Sequence, residues 1–252
     1  MIDEPVKFTP LTKSLRLRYS GEHIVLPPEL QAKVDAYWQT RVTENPHIFN
    51  GEAFTVVDFQ ETPNDITVEL SETNFAHNLY SEVFDAGEYT YRVIHSACLV
   101  ITADNKLVVG KMQQNTARPG AICCSGGGID RGDLRGSEID LEHSTAHELR
   151  EELGIDPYNN HTLQFFPAFL KTGGYRNKIT VLYELHTALT SKEFAKNYAA
   201  FVATLAKQGE DIEYEQLFYV DNTPQAVEAF IAEHSQYLDA YLPALFRTVS
   251  AR

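Results

Sequence analysis

Short alternating runs and turn signals divide the chain into a loosely patterned first third and a more regular remainder. Leu15-Arg16-Leu17-Arg18-Tyr19 alternates as a half-buried strand does. Pro27-Pro28 precedes a segment, residues 29–41, that reads as a helix. Asn45-Pro46 and Asn50-Gly51 mark turns, with strands expected over 53–60 and 65–70. Asp85-Ala86-Gly87 marks a break. Beyond it, residues 91–102 form an apolar run rich in β-formers, Ala103-Asp104-Asn105 a turn, and residues 106–112 a second strand, so the pair reads as a hairpin. A short strand over 121–124 ends in Ser125-Gly126-Gly127-Gly128. After a polar loop, residues 141–153 read as a helix stopped by Gly154. Strands follow over 161–170 and 178–185. Then come a helix over 191–207 capped by Ser191, a strand over 212–220 and helices across 224–246. Strands interleaved with helices predict an α/β layered fold. The expected division is a smaller mixed α+β region over residues 1–88 and a second domain over 89–252.

Composition narrows the class. With 43% hydrophobic residues in 252, the chain can bury a substantial core. Apolar stretches such as Cys98-Leu99-Val100-Ile101 are far too short to cross a bilayer, and MIDEPVKFTP lacks the basic and apolar parts of a secretory signal. A cytoplasmic protein with no membrane association is the expectation. A net charge of −14 argues against nucleic acid as a partner, because phosphate backbones need clustered Lys and Arg. It leaves room for a small phosphorylated ligand whose charge a divalent cation neutralises. Cys98, Cys123 and Cys124 offer neither a disulfide framework nor a C-x-x-C zinc pair, and read as small buried hydrophobes.

The chemistry concentrates between residues 126 and 155, GGGIDRGDLRGSEIDLEHSTAHELREELGI. Glu148, Glu151 and Glu152 stand at i, i+3 and i+4, so their carboxylates leave the helix on one face. Like charges this close repel, and a hard divalent cation, which favours carboxylate oxygens, water and phosphates, offsets the repulsion. Leu149, Leu153 and Ile155 supply the opposite, apolar side. An E-x-x-E-E helix alone is more often a solvated acidic face, here interleaved with Arg150. The glycine cluster before it, the stop at Gly154 and the terminal Ile155 favour the metal reading.

The segment resembles the nudix box, G-x5-E-x7-R-E-U-x-E-E-x-G-U with U aliphatic. Its second half matches at Glu148, Leu149, Glu151, Glu152, Gly154 and Ile155; in its first half Gly127 opens the box and Asp133 stands where a glutamate is usual. His147 replaces the arginine that normally orients a carboxylate. The spacing is also lengthened by an insertion, residues 134–140, expected to be a loop. A second parse reads Gly132-x5-Glu138, and both stay open. The resemblance implies an α/β/α sandwich with a mixed sheet. It also implies Mg²⁺, with Mn²⁺ as the alternative, held by Glu148, Glu152 and the carbonyl of Gly126. Glu151 would be a third ligand or hold a metal-bound water, and His147 would orient the carboxylates.

Outside the box, Glu210, Asp211, Glu213 and Glu215 lie where many members add a later acid; each alone reads as strand decoration. His143 and His147 lack the H-E-x-x-H arrangement of a zinc helix. Lys171-Thr172-Gly173-Gly174-Tyr175-Arg176 reads as a hairpin turn, with phosphate or base binding as its functional alternative. Tyr37-Trp38-Gln39-Thr40-Arg41, Asn45-Pro46 and Phe49-Asn50-Gly51 loosely resemble the leader of nudix enzymes that hydrolyse UDP-sugars. The resemblance therefore implies pyrophosphate hydrolysis in a nucleoside diphosphate joined to a second group. UDP-sugar and ADP-ribose are the leading substrates, and a non-catalytic nudix-fold binding or regulatory protein is the competing class. Oligomeric state is not legible in the chain.

Overall fold

In the computed structural model, which describes every residue except 1–3, 117, 160, 175 and 177, strand β5 (Ile94–Ile101) is central to the larger sheet. All of its residues except His95 are buried, the pattern of a strand covered on both faces. It pairs in parallel with β11 (Ile179–Thr187) and antiparallel with β6 (Lys106–Met112). Beyond β11 lie β10 (Thr162–Thr172) and then β1 (Lys7–Pro10); beyond β6 lies β12 (Tyr214–Asp221), and β7 (Ile122–Cys123) also pairs with β6. The second sheet runs β3 (Glu52–Glu61), β4 (Asp65–Asn74), β2 (Ser14–His23), β9 (Glu138–Ile139), β8 (Leu134–Arg135). Both sheets are mixed, because β5–β11 and β2–β4 are parallel pairs among antiparallel ones.

Two cores cover the faces of the larger sheet. On one face, Cys98, Val100, Val181 and Leu185 pack with Leu149 and Leu153 of helix α3 (Leu141–Leu153) and Phe194 of α4 (Ser191–Gln208). The same core takes in Leu17, Val56 and Val68 of the second sheet. On the other face, Leu99, Leu107 and Leu182 meet Val227 of α5 (Pro224–His234) and Leu242, Leu245 and Phe246 of α6 (Leu242–Ser250). A third, smaller core joins α1 (Pro28–Glu44) to α2 (Phe75–Val83) through Val34, Ala76 and Tyr80. The chain is thus mixed α/β, as its pattern predicts. Among the described residues no helix is long and apolar enough to cross a membrane.

Several expectations need correction. The insertion over 134–140 is not a plain loop: β8 and β9 form a small hairpin, Leu134 opposite Ile139, turned at Gly136. Burial of Ile139 and pairing of Glu138 with Arg18 on β2 tie that hairpin to the second sheet. Strand β1, from the first region, pairs with β10 and so extends the larger sheet. The cap of α4 is Thr190, whose side chain and that of Glu193 form a reciprocal capping box, and not Ser191. The helices expected across 224–246 are present as α5 and α6.

Candidate functional site

The site begins where β5 and β6 part. They pair only at Val100–Val108 and Ile101–Leu107, then splay, and residues 122–128 wedge between them. Cys123 lies opposite Gly110 of β6, the Cys98 amide donates to the Ser125 carbonyl (2.7 Å), and Gly128 bridges His95. The glycine run therefore lies flat along β5. At Gly126, φ is 152°, and a Cβ there would collide with the Ser96 carbonyl; at Gly127 it would fall inside the Glu148 carboxylate. Only glycine admits main chain so close to both the strand and the acidic helix.

Helix α3 presents its acids to that loop. Asp140 caps its start, accepting from the His143 amide (2.9 Å), and Gly154, at φ 67°, ends it. Leu149 and Leu153, buried in the core, fix its rotation. Glu152 is only 9% exposed and accepts hydrogen bonds from the Gly126 amide (3.0 Å) and the Tyr214 hydroxyl (2.9 Å). Burial pushes its pKa up to about 7, against the opposing pull of those donors. Half-buried Glu148 is pushed up to about 8, first by burial and then by the charges of Glu152, Glu151, Asp133 and Glu213.

The structure separates the other sequence candidates. Asp133 is buried and close enough to act on Glu148, whereas Glu138 sits on β9 beside Arg18. The parse opening at Gly127 therefore puts its acid at the site, and the parse opening at Gly132 does not. Glu151 is exposed and pairs with exposed His147 (Nδ1–Oε2, 3.3 Å), so this pair lies on the solvent flank of the helix. Of the later acids, Glu213 acts on Glu148 and Glu152, and burial raises its own pKa. Glu215 pairs with Lys111 (3.2 Å), and Glu210 and Asp211 are exposed. All three cysteines are buried and free. In the turn after β10, Tyr175 lies outside the described residues.

Tyr214 is the functional candidate that sequence reasoning missed. Its ring lies over Gly110, where a Cβ would overlap it, and this lets its hydroxyl reach Glu152. The available signal was a glycine inside a strand, which often marks close approach of another group.

The donor set suits a hard divalent cation. Two neighbouring carboxylates held partly out of water, with raised pKa values, favour any cation that neutralises them. Among the described residues no three His, Cys, Asp or Glu side chains converge as a complete cage. Mg²⁺ takes one or two carboxylates and completes its shell with water and substrate phosphates, and Glu148 and Glu152 are the neighbouring pair that could supply them.

No family model matches the chain, and no curated protein matches it. Solved structures do. The MutT protein of Methanosarcina mazei is 13% identical over 64% of this chain and 94% of its own, with a TM-score of 0.38. The nudix domain of Shewanella oneidensis NrtR, solved with ADP ribose, is 14% identical over 69% and 95%, at 0.36. The nudix hydrolase RenU of M. smegmatis is 11% identical over 64% and 85%, at 0.37. Likenesses at this level carry neither residue roles nor a substrate.

Proposed function

We propose that the chain is a nudix-type hydrolase that cleaves a pyrophosphate linkage in a nucleoside diphosphate joined to another group, using Mg²⁺ or Mn²⁺. The observation that carries this reading is the pair Glu148 and Glu152, held against the Gly126–Gly127 main chain. Glu148 and Glu152 would hold the metal, with the Gly126 carbonyl beside them. The bound cation would draw charge from the pyrophosphate oxygens and lower the pKa of an attacking water. Tyr214 and the Gly126 amide fix the Glu152 carboxylate, so that one oxygen is already hydrogen-bonded and the other is left for a ligand. Glu213 and Asp133 add negative charge that strengthens cation binding. Glu151, steadied by His147, stands at the solvent flank, where it can accept a proton from water entering the site.

The nucleotide sugar is the finer part of the proposal and rests on the leader resemblance. In the structure Tyr37 packs on Tyr80 and Phe84, Trp38 packs on Phe75, and Asn50 accepts from the Ala76 amide (2.7 Å). These contacts give the leader a structural role in holding α1 on α2. A panel of nucleotide sugars, ADP-ribose, dinucleoside polyphosphates and nucleoside triphosphates, each with Mg²⁺ and with EDTA, tests the function. Release of two phosphorylated products from one class, only with metal, is the expected result. Tight binding without turnover across the panel would favour a regulatory binding protein.

A further inference from the structure

On the sheet face opposite α3, three polar side chains stand in a row. Lys171 of β10 is the cross-strand partner of Thr180 on β11, and Thr180 is the partner of His95 on β5. Phe169, Leu182 and Ala97, two residues along each strand, belong to the core under α5 and α6, which places the row on that face. His95 in turn bridges Gly128.

The row holds more positive charge than its surroundings answer. Lys171 is 5% exposed, and its ammonium donates to the Lys178 carbonyl (2.6 Å); among the described residues no carboxylate pairs with it. Asp239, the acid whose field reaches it, is already paired with Arg118, and Lys178 is paired with Glu82. Burial pushes the Lys171 pKa down to about 8. His95 Nε2 lies 3.2 Å from Thr180 Oγ1, while its Nδ1 is buried without a hydrogen-bond partner among the described residues. A buried ammonium without a countercharge and a buried ring nitrogen without a partner are both costly unless a ligand answers them.

We propose that Lys171, Thr180 and His95 form an anion site for a phosphoryl group. Lys171 supplies charge and two remaining N–H donors. Thr180 donates to His95 Nε2, which leaves Nδ1–H to point at a phosphoryl oxygen. A tetrahedral oxyanion offers acceptors of the kind both groups lack, and in a chain of net charge −14 no general electrostatic attraction would explain its binding. The source is free phosphate or the phosphoryl group of a nucleotide. The site lies across the sheet from Glu148 and Glu152 and does not depend on their being catalytic.

The test is thermal unfolding of the full chain in EDTA and a zwitterionic buffer, titrated with inorganic phosphate or with a nucleoside monophosphate, against chloride at matched ionic strength. Saturating phosphate should raise Tm by roughly 4 °C or more. Lys171→Met should melt at or above the parent without phosphate and lose the phosphate response, while Glu152→Gln keeps it. A larger response to the monophosphate assigns the site to a nucleotide, and an equal one to free phosphate. In the parent, ¹⁵N-histidine NMR should show the His95 Nδ1 resonance moving on addition of phosphate, which needs no variant. No response beyond that of chloride, an undiminished response in Lys171→Met, or an unmoved His95 resonance would overturn the proposal.

Discussion

Glu148 and Glu152 are one turn apart on α3, yet their surroundings differ. Glu152 is anchored by Tyr214 and Gly126, whereas Glu148 faces the loop and the charges of its neighbours. That division assigns Tyr214 a positioning role for Glu152. Tyr214→Phe removes one hydrogen bond from a buried carboxylate, and supporting contacts of this kind are worth roughly 10- to 100-fold in metal affinity or activity. Calorimetric titration with Mn²⁺ should show that weakening, and an unchanged affinity would remove Tyr214 from the site. His147 is a contrasting case. Its contact with Glu151 is between exposed groups, where such pairs contribute about 0–1 kcal/mol. His147→Ala should therefore lower kcat/KM by no more than about fivefold; a loss near a hundredfold would give the ring an orienting role that its present contact does not explain.

At the scale of elements, the splay of β5 from β6 makes the site, because it admits the glycine run and lets Tyr214 on β12 lean across Gly110. Gly110→Ala puts a methyl group into the Tyr214 ring. Overpacking of this kind costs about 1–3 kcal/mol, so Tm should fall by several degrees and activity should fall with it. A variant melting with the parent would mean that the ring moves freely. Much of this architecture was legible beforehand. The box helix, its stop at Gly154 and the central strands follow from strong periodicity and glycine placement. The splay itself was not, because hairpin signals report a turn and say nothing of how far two strands stay paired. Helix α2 was missed because Phe75–Val83 mixes aromatic and polar residues in a short run; the structure defines it through the Asn74 cap and the packing of Ala76 and Tyr80. Strand β1 has only four residues and exists because β10 offers an edge. Likewise, the choice between Asp133 and Glu138 depended on the β8–β9 hairpin, whose partner β2 is more than a hundred residues away in the chain.

For the whole molecule, the proposed metal site predicts that stability depends on metal and on pH. In the metal-free protein the folded pKa values of Glu148 and Glu152, about 8 and about 7, stand above the ordinary 4.5. Their contribution is fully present below that ordinary value and is lost as pH rises through 7 and 8, because folding then buries charge that the unfolded chain leaves in water. Glu148→Gln/Glu152→Gln lacks both groups, so in EDTA its Tm should gain on the parent's between about pH 4.5 and 8. Mg²⁺ should raise the parent's Tm most at the alkaline end and leave the double variant unmoved. A parent-minus-variant difference that stays constant with pH would contradict the placement of the two carboxylates.

The central claim is that Glu148 and Glu152 hold a divalent cation for pyrophosphate cleavage. The direct measurement is ³¹P NMR of the panel's best nucleoside diphosphate substrate with the parent and with Glu152→Gln, each in Mg²⁺ and in EDTA. The account predicts that the diphosphate resonances give way to monophosphate resonances with the parent in Mg²⁺ alone. It also predicts a rate at least ~100-fold lower in Glu152→Gln, with the fold intact. Turnover by Glu152→Gln within threefold of the parent, or by the parent in EDTA at its Mg²⁺ rate, would contradict it.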